Sequence, residues 1–67
     1  MITIEFNGEK RQIDEKSTIV DLLRSAKVES RFCAVELNLE IVSKAEYETS
    51  FLLKDDKIEV VTLVGGG

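Results

Sequence analysis

The residues best placed to do chemistry stand at the end of the chain, where Gly65, Gly66 and Gly67 follow one another. Average glycine usage is about 7%, so such a run at three given positions arises by chance on the order of a few times in ten thousand. Lacking a Cβ, three glycines can pass through a channel too narrow for any other residue, and they extend at most about 10 Å beyond the residue before them. What they present is the α-carboxylate of Gly67. Its ordinary pKa of about 3.3–3.7 leaves it ionised at neutral pH, and it is a poor electrophile until one oxygen becomes a leaving group. Attack of that carboxylate on the α-phosphate of ATP, with loss of pyrophosphate, would give an acyl-adenylate and supply the leaving group. The chain has no phosphate loop of the form G-x-x-x-x-G-K-[ST], since Gly8 follows Asn7 in a turn pattern and the other glycines close the chain. No cofactor is therefore expected on the chain itself, and ATP is expected on a partner enzyme that Gly65 and Gly66 enter as a flexible tail.

The other candidates for chemistry are weak. There is no histidine and one cysteine among 67 residues. That removes the commonest general base and excludes a disulfide framework or a Cys-rich zinc site. Cys33, in the run Phe32-Cys33-Ala34-Val35, reads as a small buried hydrophobe. Asp55 and Asp56 between Lys54 and Lys57 have turn composition. Glu46 and Glu48 are expected in solvent, with Tyr47 between them partly packed. No nucleophile–base set emerges, so a carrier or binding protein is expected rather than an enzyme.

At this length the chain is one domain at most, and only about 60% of its unfolded surface can be buried. The net charge is −4 with basic residues scattered among acidic ones, which is no nucleic-acid footprint. The opening Met1-Ile2-Thr3-Ile4-Glu5 lacks the basic start and apolar run of a signal peptide, and no apolar stretch reaches membrane length. A cytoplasmic protein is expected, without nucleic-acid or membrane partners.

The elements that must carry the tail can be read from periodicity. Ile2, Ile4 and Phe6 alternate with Thr3 and Glu5, and Asn7-Gly8 follows, the strongest short hairpin signal. The returning arm, Glu9 to Ile13, is polar like an edge strand. Ile19, Leu22, Leu23 and Ala26 have helical spacing, with a capping-box-like start at Thr18 and Asp21, so a helix is expected from about Thr18 to Lys27. Cys33, Val35 and Leu37, then Ile41-Val42, suggest two short strands, and Ser43 with Glu46 the cap of one helical turn. The last strand runs from Ile58 towards Val64 and is apolar on both faces near its end, which marks a central strand covered by the helix on one side. Strands at both ends with one long helix between them imply an α+β fold, a single helix over a mixed sheet. The expected division is a domain over residues 1–64 and a tail over 65–67.

Taken together, Asn7-Gly8, Asp21-Leu22-Leu23, Ala34-Val35-Glu36-Leu37-Asn38, Glu40-Ile41-Val42, Asp56-Lys57-Ile58-Glu59-Val60 and Leu63-Val64-Gly65-Gly66-Gly67 resemble the ubiquitin-like β-grasp sulfur carriers, most closely those of thiamine biosynthesis. The resemblance covers the whole chain. It implies a mixed sheet of four to five strands whose first and last strands run parallel at its centre, and one main helix across it. It also implies a cycle. A ThiF-like adenylyltransferase would adenylate Gly67, a cysteine desulfurase relay would replace the adenylate by sulfur to give a thiocarboxylate, and a ThiG-like thiazole synthase would take up that sulfur. Val61, Leu63 and Val64 are the expected docking residues for these partners. Asp55 departs from relatives that often have glycine there. Sulfur transfer to the molybdenum cofactor or to transfer RNA, covalent modification of lysines, and a non-covalent binding module stay open as alternatives.

Overall fold

The computed structural model describes residues 1–62. Strands β1 (Ile2–Phe6) and β2 (Glu9–Ile13) form the opening hairpin, helix α1 (Ile19–Ser25) follows, then strands β3 (Cys33–Leu37), β4 (Glu40–Val42) and β5 (Lys57–Thr62). The five strands make one mixed sheet in the order β2-β1-β5-β3-β4. Within it β5 is parallel to β1 and antiparallel to β3, so the last strand is central, as its two-sided apolarity predicts. The fold is a β-grasp, one helix packed on a mixed sheet.

Alternation along the strands sends Ile4, Cys33, Val35 and Ile58 to the helix side, where all four are buried. From above, α1 adds Ile19, Leu22 and Leu23. Burying such a side chain fully is worth roughly 1.5–3 kcal/mol. Two further core residues come from an irregular stretch: Leu52 is 1% exposed and Tyr47 is 3% exposed. The expectation of a partly packed Tyr47 is thus corrected. The one-turn 3₁₀ helix at Lys44–Glu46 hands the chain on so that the phenol ring enters the core while Glu46 and Glu48 stay in water.

This stretch also closes the start of the helix. The amides of Ile19 and Val20, which have no intrahelical acceptor, donate to the carbonyls of Ser50 and Tyr47 at 3.1 and 3.0 Å. Thr18 and Asp21 complete a capping box: the Thr18 N–H donates to Asp21 Oδ2 at 3.0 Å, and the Asp21 N–H to Thr18 Oγ1 at 3.2 Å. The helix ends earlier than the pattern predicts, at Ser25 rather than Lys27. Lys27 takes a φ of 60°, and its N–H and that of Val28 fold back onto the carbonyls of Arg24 and Leu23, a Schellman closure that stops the helix. Ser43 stands at the N-cap of the one-turn helix, as expected, but its hydroxyl donates to the Glu46 carboxylate at 3.2 Å and makes no bond to a backbone amide.

Several of the turns take left-handed backbone. Both hairpin loops have two residues, Asn7-Gly8 and Asn38-Leu39, and all four residues have positive φ, the type I′ geometry that suits the twist of the flanking strands. Asp55 also has a φ of 68°, which explains why glycine suits this turn and why aspartate, among the residues that tolerate the left-handed region, can replace it. Asp56 then fastens the turn, accepting from the Leu53 N–H at 2.8 Å and from Asn38 Nδ2 at 3.0 Å.

Candidate functional site

The tail residues Gly65, Gly66 and Gly67, and the docking candidates Leu63 and Val64, lie outside the described residues. What the structure describes is the strand that delivers them. β5 occupies the middle of the sheet, and its ladder with β1 begins in the turn before it. The Asp55 N–H donates to Thr3 O, the Glu5 N–H to Asp56 O and the Asn7 N–H to Ile58 O, each at 2.9 Å. On the other side β3 pairs with it from Cys33↔Thr62 to Leu37↔Ile58. Beyond Thr62, five residues span at most about 18 Å when fully extended.

The third docking candidate, Val61, is 59% exposed. It has the opposite parity to buried Ile58 and so stands on the sheet face turned away from α1. Ala34 lies directly across from it on β3. One rung further, Glu36 is flanked by Ile41 on β4 and by Glu59 on β5, on the same face. The open face near the end of β5 therefore combines a patch of Ala34, Ile41 and Val61 with two carboxylates side by side. Like charges in direct register oppose each other in the free protein. The alternation of β3 already placed Ala34 and Glu36 on one face. That they adjoin Val61 depends on strand order, which local periodicity does not carry.

Elsewhere, chemistry is damped rather than prepared. Cys33 is 1% exposed, burial raises its thiol above the ordinary range against a smaller lowering by Lys44, and its Sγ donates to Ser30 O at 3.5 Å. Burial likewise raises the Tyr47 phenol, with Cys33 adding to the shift and a hydrogen bond at the Val35 backbone opposing it. Asp55 and Asp56 build a turn, as their composition predicts. Among the described residues no group of carboxylates and thiols is placed to hold a metal ion, and no helix is long and apolar enough to cross a membrane.

Residues 4–67 match the model of the ThiS family, which runs through the sheet and the whole glycine tail. The chain belongs to the ThiS family. Against the sulfur carrier protein ThiS of Bacillus subtilis it is 43% identical over 53 residues, covering 79% of this chain and 80% of that protein. A thiazole synthase of Paramagnetospirillum magneticum is 44% identical over 61 residues, which are 91% of this chain and 19% of that protein, so the chain spans about a fifth of that relative's length. The crystal structure of the thiamine biosynthesis protein ThiS from Geobacter metallireducens superposes with a TM-score of 0.83 at 26% identity, covering 98% of this chain and all of that one. This ThiS-family chain thus has β5, the last of its described strands, at the centre of the sheet.

Proposed function

We propose that this ThiS-family chain is the sulfur carrier of thiamine biosynthesis, with Gly67 as the residue that is adenylated and then thiocarboxylated. The observation that carries the reading is the match to the ThiS family over residues 4–67, which extends through Gly65, Gly66 and Gly67. In the cycle, a Gly67 carboxylate oxygen attacks the α-phosphate of ATP on a ThiF-like adenylyltransferase, and pyrophosphate leaves. A persulfide from a cysteine desulfurase relay then attacks the acyl carbon and AMP departs. A thiol cleaves the resulting acyl disulfide, leaving the thiocarboxylate on Gly67 and the other sulfur in a disulfide.

The acceptor is a thiazole synthase, a reading favoured by the relative of that name that contains a segment so similar to this chain. The domain supplies recognition and Gly65 and Gly66 supply reach, so the protein acts as a co-substrate and contributes no catalytic group. The open sheet face around Val61 is the docking surface, with its central apolar side chains excluding water, and Leu63 and Val64 are further docking candidates by sequence. Its neighbouring carboxylates call for a cationic group on the partner.

The test is the intact mass of the protein after incubation with ATP, the adenylyltransferase and a desulfurase, followed by fragmentation of its C-terminal peptide. Exchange of one oxygen for sulfur at Gly67 is expected, and none when Gly66 and Gly67 are deleted. Lysine-linked conjugates without any thiocarboxylate would favour the modifier reading instead.

A further inference from the structure

The two turn asparagines share an arrangement that their role as hairpin formers does not require. In the parallel ladder between β1 and β5, the Asn7 N–H donates to Ile58 O at 2.9 Å, and regular pairing would next offer the Asn7 carbonyl to the Val60 N–H. Asn7 has already turned into the left-handed region, with φ 49°. Its side chain takes over: the Val60 N–H donates to Asn7 Oδ1 at 2.7 Å, across 53 positions of sequence. Asn38 does the same at the other end of the strand, on the other side. Its N–H donates to Lys57 O at 2.8 Å, and the Lys57 N–H donates to Asn38 Oδ1 at 2.9 Å. Each asparagine thus supplies a side-chain carbonyl as the rung that its turning backbone withdraws.

We propose that Asn7 is a positioning residue for the carrier reaction: its side chain prolongs the β1 edge by one rung and so fixes the place from which the chain beyond Thr62 is launched. This rests on the carrier reading above. Without that rung the far half of β5 is held on one side only, by β3. The reacting carboxylate then leaves from a less defined origin, and part of the orientation gained by docking is lost. Asn38 holds the start of the same strand and serves as the internal control, since Lys57 is remote from the launch point.

Asn7→Gly keeps the left-handed turn and removes only the acceptor, and Asn7→Asp keeps both. Two measurements are made on the full chain, hydrogen exchange of the Val60 amide and steady-state adenylation by the adenylyltransferase with ATP. For Asn7→Gly, Val60 protection is expected to fall about tenfold, with kcat down about three- to tenfold and KM within about twofold. Asn7→Asp should behave as the unaltered protein, and Asn38→Gly should lose stability with kcat unchanged. Unaltered Val60 protection in Asn7→Gly, or an equal fall in kcat in Asn38→Gly, overturns the proposal. If the unaltered chain is not adenylated at all, the carrier reading falls and takes the kinetic role with it, while the exchange data still decide whether Asn7 anchors the strand.

Discussion

Asp21 shows how a single residue couples this small fold to pH. The Thr18 backbone N–H is the main cause of its lowered pKa, followed by the Thr18 side chain, with Arg24 at 3.7 Å adding a smaller pull against some desolvation. A carboxylate whose folded pKa is depressed contributes stability above its unfolded value, about 3.9, and loses it as pH falls through the folded value. Melting temperatures followed from neutral to strongly acidic pH should therefore decline below about pH 4, and Asp21→Asn should flatten that decline. At the alkaline end the sign reverses. Cys33 and Tyr47 have raised values, so the unfolded chain releases their protons first, and stability falls as pH rises past about 8.5 for the thiol and 10 for the phenol. Tyr47→Phe should remove the later part of that alkaline loss; an identical profile would show that its burial is not felt in the equilibrium.

Among the elements, strand periods and caps were legible in local sequence, and the strands lie close to where alternation puts them. The capping box at Thr18 and Asp21 and the hairpin at Asn7-Gly8 were also legible, because each rests on residues within three positions of one another. Less legible was the stretch from Lys44 to Leu52, where Tyr47 and Leu52 enter the core from irregular backbone that has no period to betray it. The bond between Asn7 and Val60 was hidden for a related reason, since its partners meet only once the first and last strands pair. Of the candidate site, the tail and Val61 stood out by type, whereas Ala34, Ile41 and the Glu36–Glu59 pair are grouped by strand order alone. That pair yields an element-scale prediction. Glu36→Lys should stabilise the free protein by about 0.2–1 kcal/mol in denaturant melts, by turning repulsion into attraction across the rung. It should also weaken the adenylyltransferase complex. Val61→Asp should leave stability within about 0.5 kcal/mol, as an exposed position, yet raise the KM of adenylation about tenfold. Normal kinetics in both variants would move the docking surface elsewhere.

For the molecule as a whole the margin is narrow, because a domain of this size holds few fully buried side chains. Leu52 tests how far the irregular stretch contributes: Leu52→Ala should cost about 2–5 kcal/mol, comparable to the whole stability of so small a domain. A loss below about 1 kcal/mol would mean that the site collapses around the smaller side chain. The position of β5 has a further consequence during synthesis. β1 and β3 have no rung in common except through β5, so a growing chain that has not yet released Lys57–Thr62 from the ribosome can form two hairpins but no continuous sheet. Completion of the fold and emergence of the glycine tail are therefore nearly the same event. A nascent or nicked chain that lacks β5 also lacks Glu59 and Val61 of the proposed docking face, and is expected not to compete with the intact chain for a partner.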